Sequence, residues 1–285
     1  RYQPSVVYPD GANRIERFEP DPWPRWTFRL EDGTEIEQEL FVPHGASVAA
    51  LSWRLTVPAK DVSLHLCPFM SGRDYHALHH ENQSFRFEPE GHDGAVGSEV
   101  HETRLVWHPY PGLPGIVVIS NGTYRHQPDW FRNFLYEEER DRGLECTEDL
   151  ASPGIFRWDL SAGEAVWILA TESQEADRPP PVIPAALCLN SLREAAQERR
   201  KRFPSRLHRS ADAYIVKRGE GKTIVAGYPW FTDWGRDTFI ALRGLCLATG
   251  RLDEAREILL KWAGTVSEGM LPNLFTDQGD KAEFN

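Results

Sequence analysis

The chain has no excess of positive charge. Against 32 Lys and Arg stand 43 Asp and Glu, a formal net charge of −11 at pH 7. That balance argues against a nucleic-acid footprint and against docking on an anionic membrane, and it suits a neutral partner such as a polysaccharide. No run approaches the apolar length needed to span a bilayer, and Arg1-Tyr-Gln-Pro-Ser5 lacks a charged-then-apolar secretory pattern. Cysteine is sparse. Cys67, Cys146, Cys188 and Cys246 lie far apart, with no C-x-x-C pair and no zinc spacing. Reduced, buried thiols in a cytoplasmic protein are the expectation. Asn121-Gly-Thr123 fits an N-glycosylation pattern, but nothing else suggests secretion. His76, His79 and His80 have no partner spacing elsewhere and are expected to anchor a loop, so neither metal nor cofactor is expected.

What is present is length enough for two domains, 285 residues with 40% apolar content, and ten tryptophans that can serve a core, sugar platforms or both. From Pro4 to about Thr171 the signal is strand after strand. Trp26 to Leu30 alternates, Glu31-Asp-Gly33 turns, and Thr34 to Val42 alternates again, which predicts a hairpin. Ala46 to Val57, Val62 to Cys67, Ser84 to Phe87, Arg104 to His108, Gly115 to Ser120 and Ala165 to Ala170 read similarly. Together they predict a large antiparallel β-sandwich over residues 1–189. Two segments break the rhythm and read as long loops: Arg73 to Asn82, rich in His, and Trp130 to Gly154, in which Glu137-Glu-Glu139 is expected to pair with Arg140 and Arg142.

Arg178-Pro-Pro-Pro181 stiffens the exit from the sandwich. Asn190 or Ser191 then caps a charged helix ending before Pro204, a linker over residues 190–204 lying across two domains. From residue 205 to 285 the period becomes helical. Leu207 to Val216 predicts a helix, and Lys217 to Lys222 a hairpin-like turn. A helix from Asp237 or Thr238 to Gly250 has Phe239, Ile240, Leu242, Leu245 and Cys246 on its apolar side. Another from Leu252 to Ala263 places Leu252, Ala255, Leu259 and Trp262 inward.

The densest chemistry lies in Gly227-Tyr-Pro-Trp-Phe-Thr-Asp-Trp-Gly-Arg-Asp-Thr-Phe-Ile-Ala-Leu-Arg-Gly244. Aromatic faces suit the C–H faces of a sugar ring, and Asp with Arg supplies acceptors and fork-like donors for its hydroxyls. The plain alternative is that these rings are core and that Asp237 caps a helix with Arg236 as its ion-pair partner. The whole string, followed in order by Gly250-Arg-Leu-Asp-Glu-Ala-Arg256 and Gly269-Met-Leu-Pro-Asn-Leu-Phe275, resembles the start of the catalytic domain of bacterial and archaeal glycogen debranching enzymes of the amylo-α-1,6-glucosidase type. The His-rich and Trp130 segments resemble the N-terminal domain of the same family.

The resemblance implies a sandwich followed by the first helices of an α/α toroid, a six-hairpin barrel cut short. It also implies that the chain is a piece missing both ends. Implied, too, are inverting hydrolysis of the single α-1,6-linked glucose at a glycogen branch, and an acid and base beyond Asn285. Inverting enzymes hold their carboxyls roughly 6.5–9.5 Å apart across the sugar, and Asp233 and Asp237, four residues apart across a bend, are not assumed to straddle one. No catalytic residue is therefore expected here, and residues 1–285 alone are expected to be inactive. Related α/α-barrel glucosidases grip the terminal glucose with an Arg and Asp at this junction. Those roles fall on Arg236 and Asp237, with Trp234, Trp230 and Phe231 as walls and Asp233 beside them. Asn273 and Phe275 are weaker candidates for the lining. The expected partner is glycogen or another branched α-glucan. A glucoamylase-like α-1,4-glucosidase and a non-catalytic carbohydrate-binding sandwich are the alternatives.

Overall fold

The computed structural model describes residues 1–74, 77–90, 96–172, 183–228, 231–275 and 282–284. The chain forms two compact units, Arg1–Gln197 and Glu198–Asn285.

The first unit is built on one large antiparallel sheet. Its strands are β1 (Ile15–Glu19), β2 (Arg25–Arg29), β3 (Glu35–Phe41), β4 (Val48–Leu55), β5 (Ser63–Leu66), β6 (Glu99–Trp107), β7 (Ile116–Leu135), β8 (Thr147–Asp159) and β9 (Ala165–Thr171). They run in the order β1-β2-β3-β4-β9-β7-β8-β5, with β6 also on β7. The alternating Trp26 and Thr34 segments form the expected β2–β3 hairpin, with Phe28 opposite Ile36.

The long strand β7 organises the sheet by changing partners. Ile116–Ser120 pairs with β9, whereas Thr123–Leu135 pairs with β8. At the changeover a Cβ on Gly122 would lie 2.5 Å from the Trp158 ring and 2.9 Å from the Arg157 carbonyl, so only glycine fits. Beside it the Asn121 Oδ1 accepts from the Trp158 Nε1 and the Val166 amide, both at 2.8 Å, and its Nδ2 donates to the Glu164 carbonyl. The glycosylation-like asparagine thus has its amide committed internally. Over this changeover lies an aromatic core: Trp53, Leu105, Trp107, Tyr124, Phe156, Trp158 and Trp167. Trp53 and Trp158, from β4 and β8, approach to 6.0 Å between ring centroids. These tryptophans fill the interior and are not sugar platforms.

The opposite face of β3, β4 and β9 is also covered. Val166 and Ile168 pack with Trp23, Phe41 and Ala50 against Ala185 and Leu189 of helix α2 (Ala185–Lys201; α1 is described below). With both faces buried, β9 reads as the near-continuous apolar run Ala165–Ala170. Arg193 fixes the helix to the sheet, donating to Glu39 at 2.8 Å, Glu164 at 2.6 Å and Ser52 at 2.9 Å.

Several expectations differ from this structure. Ser84–Phe87 is not a strand; it makes isolated links such as the Arg86 amide to the Pro109 carbonyl, and no ladder. Trp130–Gly154 is not a loop but the end of β7 and the start of β8, joined through helix α1 (Glu137–Asp141). Bulges at His126/Asp129 and Phe131/Phe134 break the two-residue period there and hide the strands from a pattern reading. The expected pairs of α1 do form, Arg142 on Glu138 and Arg140 on Glu137. Helix α2 begins at Ala185 rather than Asn190, because the Pro184 carbonyl accepts the first helical amide, from Cys188. Asn190 lies within it, and the division between the units falls inside it, after Gln197.

The second unit contains α3 (Arg206–Asp212), the hairpin β10 (Ile215–Arg218) and β11 (Gly221–Ile224), α4 (Gly235–Leu242), a π-helical turn Arg243–Leu247, α5 (Leu252–Ala263), and the two-residue strands β12 (Leu274–Phe275) and β13 (Ala282–Glu283). Ser205 caps α3, its side chain accepting from the His208 amide. That helix ends at Asp212, and the expected continuation to Val216 is strand instead. Ile215, Ile224, Leu242, Cys246, Ala255, Ile258, Trp262 and Phe275 form the core. The buried stripe of α5 is Ala255–Ile258–Trp262, which leaves Leu252 and Leu259 exposed, contrary to expectation; Ile240 of α4 is exposed as well.

Candidate functional site at the start of helix α4

The site is assembled on the hairpin and on the Pro272 segment. Asp233 is 2% exposed; its Oδ1 accepts from the Arg218 Nη1 at 2.9 Å and its Oδ2 from the Thr223 Oγ1 at 3.0 Å. The hairpin therefore pins the segment leading into α4. The Arg218 guanidinium lies over the Phe275 ring, 5.1 Å from its centroid. One residue on, Trp234 occupies the N-cap position and forms a β-bridge with Leu274. Gly235 donates its amide to the Asn273 carbonyl at 2.8 Å. A Cβ on Gly235 would stand 3.0 Å from the Pro272 carbonyl oxygen and 3.1 Å from the Trp262 ring. The glycine of the Trp-Gly-Arg-Asp string is thus a packing requirement, and the first and third sequence blocks meet here.

That anchoring presents the next two side chains outward. Arg236 is 79% exposed and Asp237 41% exposed at the side chain, with Nε and Oδ2 4.0 Å apart. Asp237 is not the N-cap. It lies in the first turn of α4, where a carboxylate is favoured by the helix dipole. It also borders a hollow of about 380 Å3 whose other walls include Tyr214, Ile224, Ala226, Ile240 and Gly244. Phe231 is exposed and sets its ring edge-on to Trp234, 6.2 Å between centroids. Trp230 lies outside the described residues.

Two expected lining residues belong elsewhere. Both oxygens of Asp233 are taken by protein donors in a sealed setting, so it positions the segment and does not face a ligand. Phe275 is core, 4.7 Å from the Trp262 ring. Asn273 contributes its backbone carbonyl to Gly235.

The second sequence block proves to be a brace. Arg251 donates to Asp212 at 2.7 Å, and Arg199 donates to the other oxygen of the same carboxylate. Burial raises the Asp212 pKa, but the Arg251 and Arg199 bonds outweigh it and hold the carboxyl below its ordinary value. Glu254 of the same block pairs with Lys222 at 2.5 Å. Asp212, between two alanines, carries no pattern that marks it in advance.

In the first unit the His-rich segment centres on Glu148, which is 1% exposed. Its carboxylate accepts from Arg73, from the Tyr136 hydroxyl and from the His79 amide at 3.1 Å. Burial opposes ionisation, yet these donors hold the Glu148 pKa below the ordinary range. Burial and the neighbouring carboxylate push Tyr136 up. His79 is buried between the Asp149 carbonyl and the Tyr110 hydroxyl and stacks on Trp130 at 5.4 Å, a loop anchor as expected; His76 lies outside the described residues. Among the described residues no group of His, Cys, Asp or Glu could hold a metal ion, and no helix is long and apolar enough to cross a membrane.

Comparison with known proteins follows the same order along the chain. Residues 1–167 match the family model described as glycogen debranching enzyme N terminal, and residues 209–285 match that described as amylo-alpha-1,6-glucosidase. A glycogen debranching enzyme of Saccharomyces cerevisiae is 44% identical over 68 residues, 22% of this chain. The aligned stretch spans 4% of that relative's length. A crystal structure of a bacterial glucoamylase complexed with acarbose is similar over 88% of this chain and 41% of its own, with a TM-score of 0.48 and 13% identity. The first family model alone covers more than half of the residues and the second takes up the helical part, so the chain belongs to the glycogen debranching enzyme family.

Proposed function

We propose that this chain is part of a glycoside hydrolase that releases single glucose units from the α-1,6 branch points of glycogen, and that Arg236 and Asp237 grip the terminal glucose. The observation that carries the reading is the exposed Arg236–Asp237 pair, held by the buried Asp233 and by Gly235 beside a hollow. The guanidinium donates in a fixed fork and the carboxylate accepts, so together they match adjacent sugar hydroxyls. Trp234 and Phe231 supply apolar ring faces at the same helix start, and Trp230 is the third wall in this proposal. A ring lacking the matched hydroxyls leaves these groups unsatisfied, which is the basis of selectivity.

The site as proposed recognises substrate and does not move protons. Asp233 is committed to Arg218 and Thr223, so it is not a second carboxylate facing a sugar from Asp237. In this reading the sheet unit is a sandwich, α3 to α5 open an α/α toroid, and an inverting acid and base lie outside residues 1–285. The free cysteines are consistent with a cytoplasmic location.

The test is glucose release by the intact gene product from a phosphorylase limit dextrin. Release is expected from the intact protein and none from residues 1–285 alone. No glucose from the intact protein rejects the enzymatic reading, and faster release from maltose than from isomaltose-type ends replaces it with an α-1,4-glucosidase.

A further inference from the structure

We infer that Tyr228 is a positioning residue for the proposed glucose grip, its hydroxyl tying the loop that carries Phe231 to the chain that walls the hollow beside Asp237. The identity of the ligand rests on the function proposed above; the tie itself does not.

Tyr228 belongs to the Gly227–Gly244 string but has none of the roles given to its neighbours. It is 59% exposed, so it is not a core ring. Its hydroxyl donates to the Ala213 carbonyl at 3.0 Å, and its ring lies 6.0 Å from that of Tyr214, tilted by 45°. One end of that bond is in the loop before α4, and the other is between α3 and β10.

The loop is closed at its base. The Ala226 amide donates to the Thr232 carbonyl at 2.7 Å, and the Phe231 amide to the Gly227 carbonyl at 2.8 Å. Gly227 and Phe231 thus form a β-bridge, and Phe231 is carried by the residue next to Tyr228. Bonds across a base hold a loop's two legs together but leave its tilt about that base free. A bond reaching outward from the loop removes that freedom.

The accepting end is placed where the tilt matters. Ala213 precedes Tyr214, which lines the hollow together with Ala226 and Asp237. The Tyr214 carbonyl also accepts from the Val225 amide at 2.9 Å. The two bonds hold one rim, with Tyr214 on one side and Val225 to Tyr228 on the other. Beyond that rim Phe231 meets Trp234 edge-on, three residues before Asp237. One hydroxyl therefore sets both proposed ring walls against the carboxylate.

A single neutral hydrogen bond is modest, so its loss reduces the positioned population by about 3- to 10-fold. A wall that meets substrate and transition state alike changes KM and leaves kcat.

The experiment compares the intact gene product with its Tyr228→Phe and Tyr228→Leu variants. It reads kcat and KM for glucose release from limit dextrin, equilibrium binding of D-glucose, and melting temperature. Tyr228→Phe is expected to raise KM and to weaken glucose binding by that factor, with kcat and melting temperature unchanged. Tyr228→Leu, which also removes the ring beside Tyr214, is expected to weaken binding at least as far. If Tyr228→Leu melts earlier, Tyr228→Phe decides. Tyr228→Phe with unaltered KM and glucose affinity overturns the inference. So does a fall in kcat alone, or a loss of binding matched by a lower melting temperature. An intact protein that binds glucose but releases none from limit dextrin refutes only the enzymatic reading, and glucose affinity then decides Tyr228. One that neither binds nor releases glucose rejects both.

Discussion

The amide of Gly235 donates to the carbonyl of Asn273 at 2.8 Å, while the space for a Gly235 side chain is filled by the Pro272 carbonyl oxygen and the Trp262 ring. Two sequence blocks nearly forty residues apart are thereby locked at the start of α4. Gly235→Ala forces a methyl group against a backbone oxygen that has little freedom to move. The expected cost is about 1–3 kcal/mol of stability, read as a lower denaturant midpoint, together with weaker α-glucan binding.

Asp233 and Asp237 separate by what each touches. Asp233→Ala removes a buried acceptor from Arg218 and Thr223 and is expected to cost about 3 kcal/mol or more. Asp237→Asn changes a half-exposed side chain and is expected to leave stability within about 0.5 kcal/mol while weakening glucan binding. Calorimetric melting with saccharide titration on both variants checks the split. Equal destabilisation by the two would contradict it.

Acid should loosen the first unit through Glu148. Its folded-state pKa lies below the ordinary value, so the native state binds fewer protons than the unfolded chain. The stabilisation is complete above the unfolded value of about 4.3 and is lost as pH falls through the lower folded value. Urea midpoints followed from pH 7 down to pH 3 should drop in that window, and Glu148→Gln should flatten the drop. Asp212, also held low by its two arginines, adds a loss of the same sign in the second unit, beginning near its unfolded value of about 3.9.

Strands with an undisturbed two-residue period were legible: β2 and β3 stand where Trp26–Leu30 and Thr34–Val42 place them. The β7–β8 hairpin was not, because its bulges shift the register and mix exposed charge into the buried row. Helix α2 starts before the Asn190 and Ser191 cap signals, because the chain enters it from Pro184, whose carbonyl accepts from the Cys188 amide. At the candidate site, the Trp-Gly-Arg-Asp string marks the turn of chain that opens α4. Which carboxylate faces inward depended on Arg218 and Thr223, partners 15 and 10 residues away on a hairpin. The role of Gly250-Arg-Leu-Asp-Glu-Ala-Arg256 depended on Asp212, which no local pattern distinguishes.

The most direct test is kcat/KM for glucose release from limit dextrin by the intact gene product and its Arg236→Ala variant. If the guanidinium grips the terminal glucose, the variant falls by about 100-fold, equivalent to about 2.7 kcal/mol, with an unchanged melting temperature. Equal kcat/KM in a fully folded variant would contradict the account.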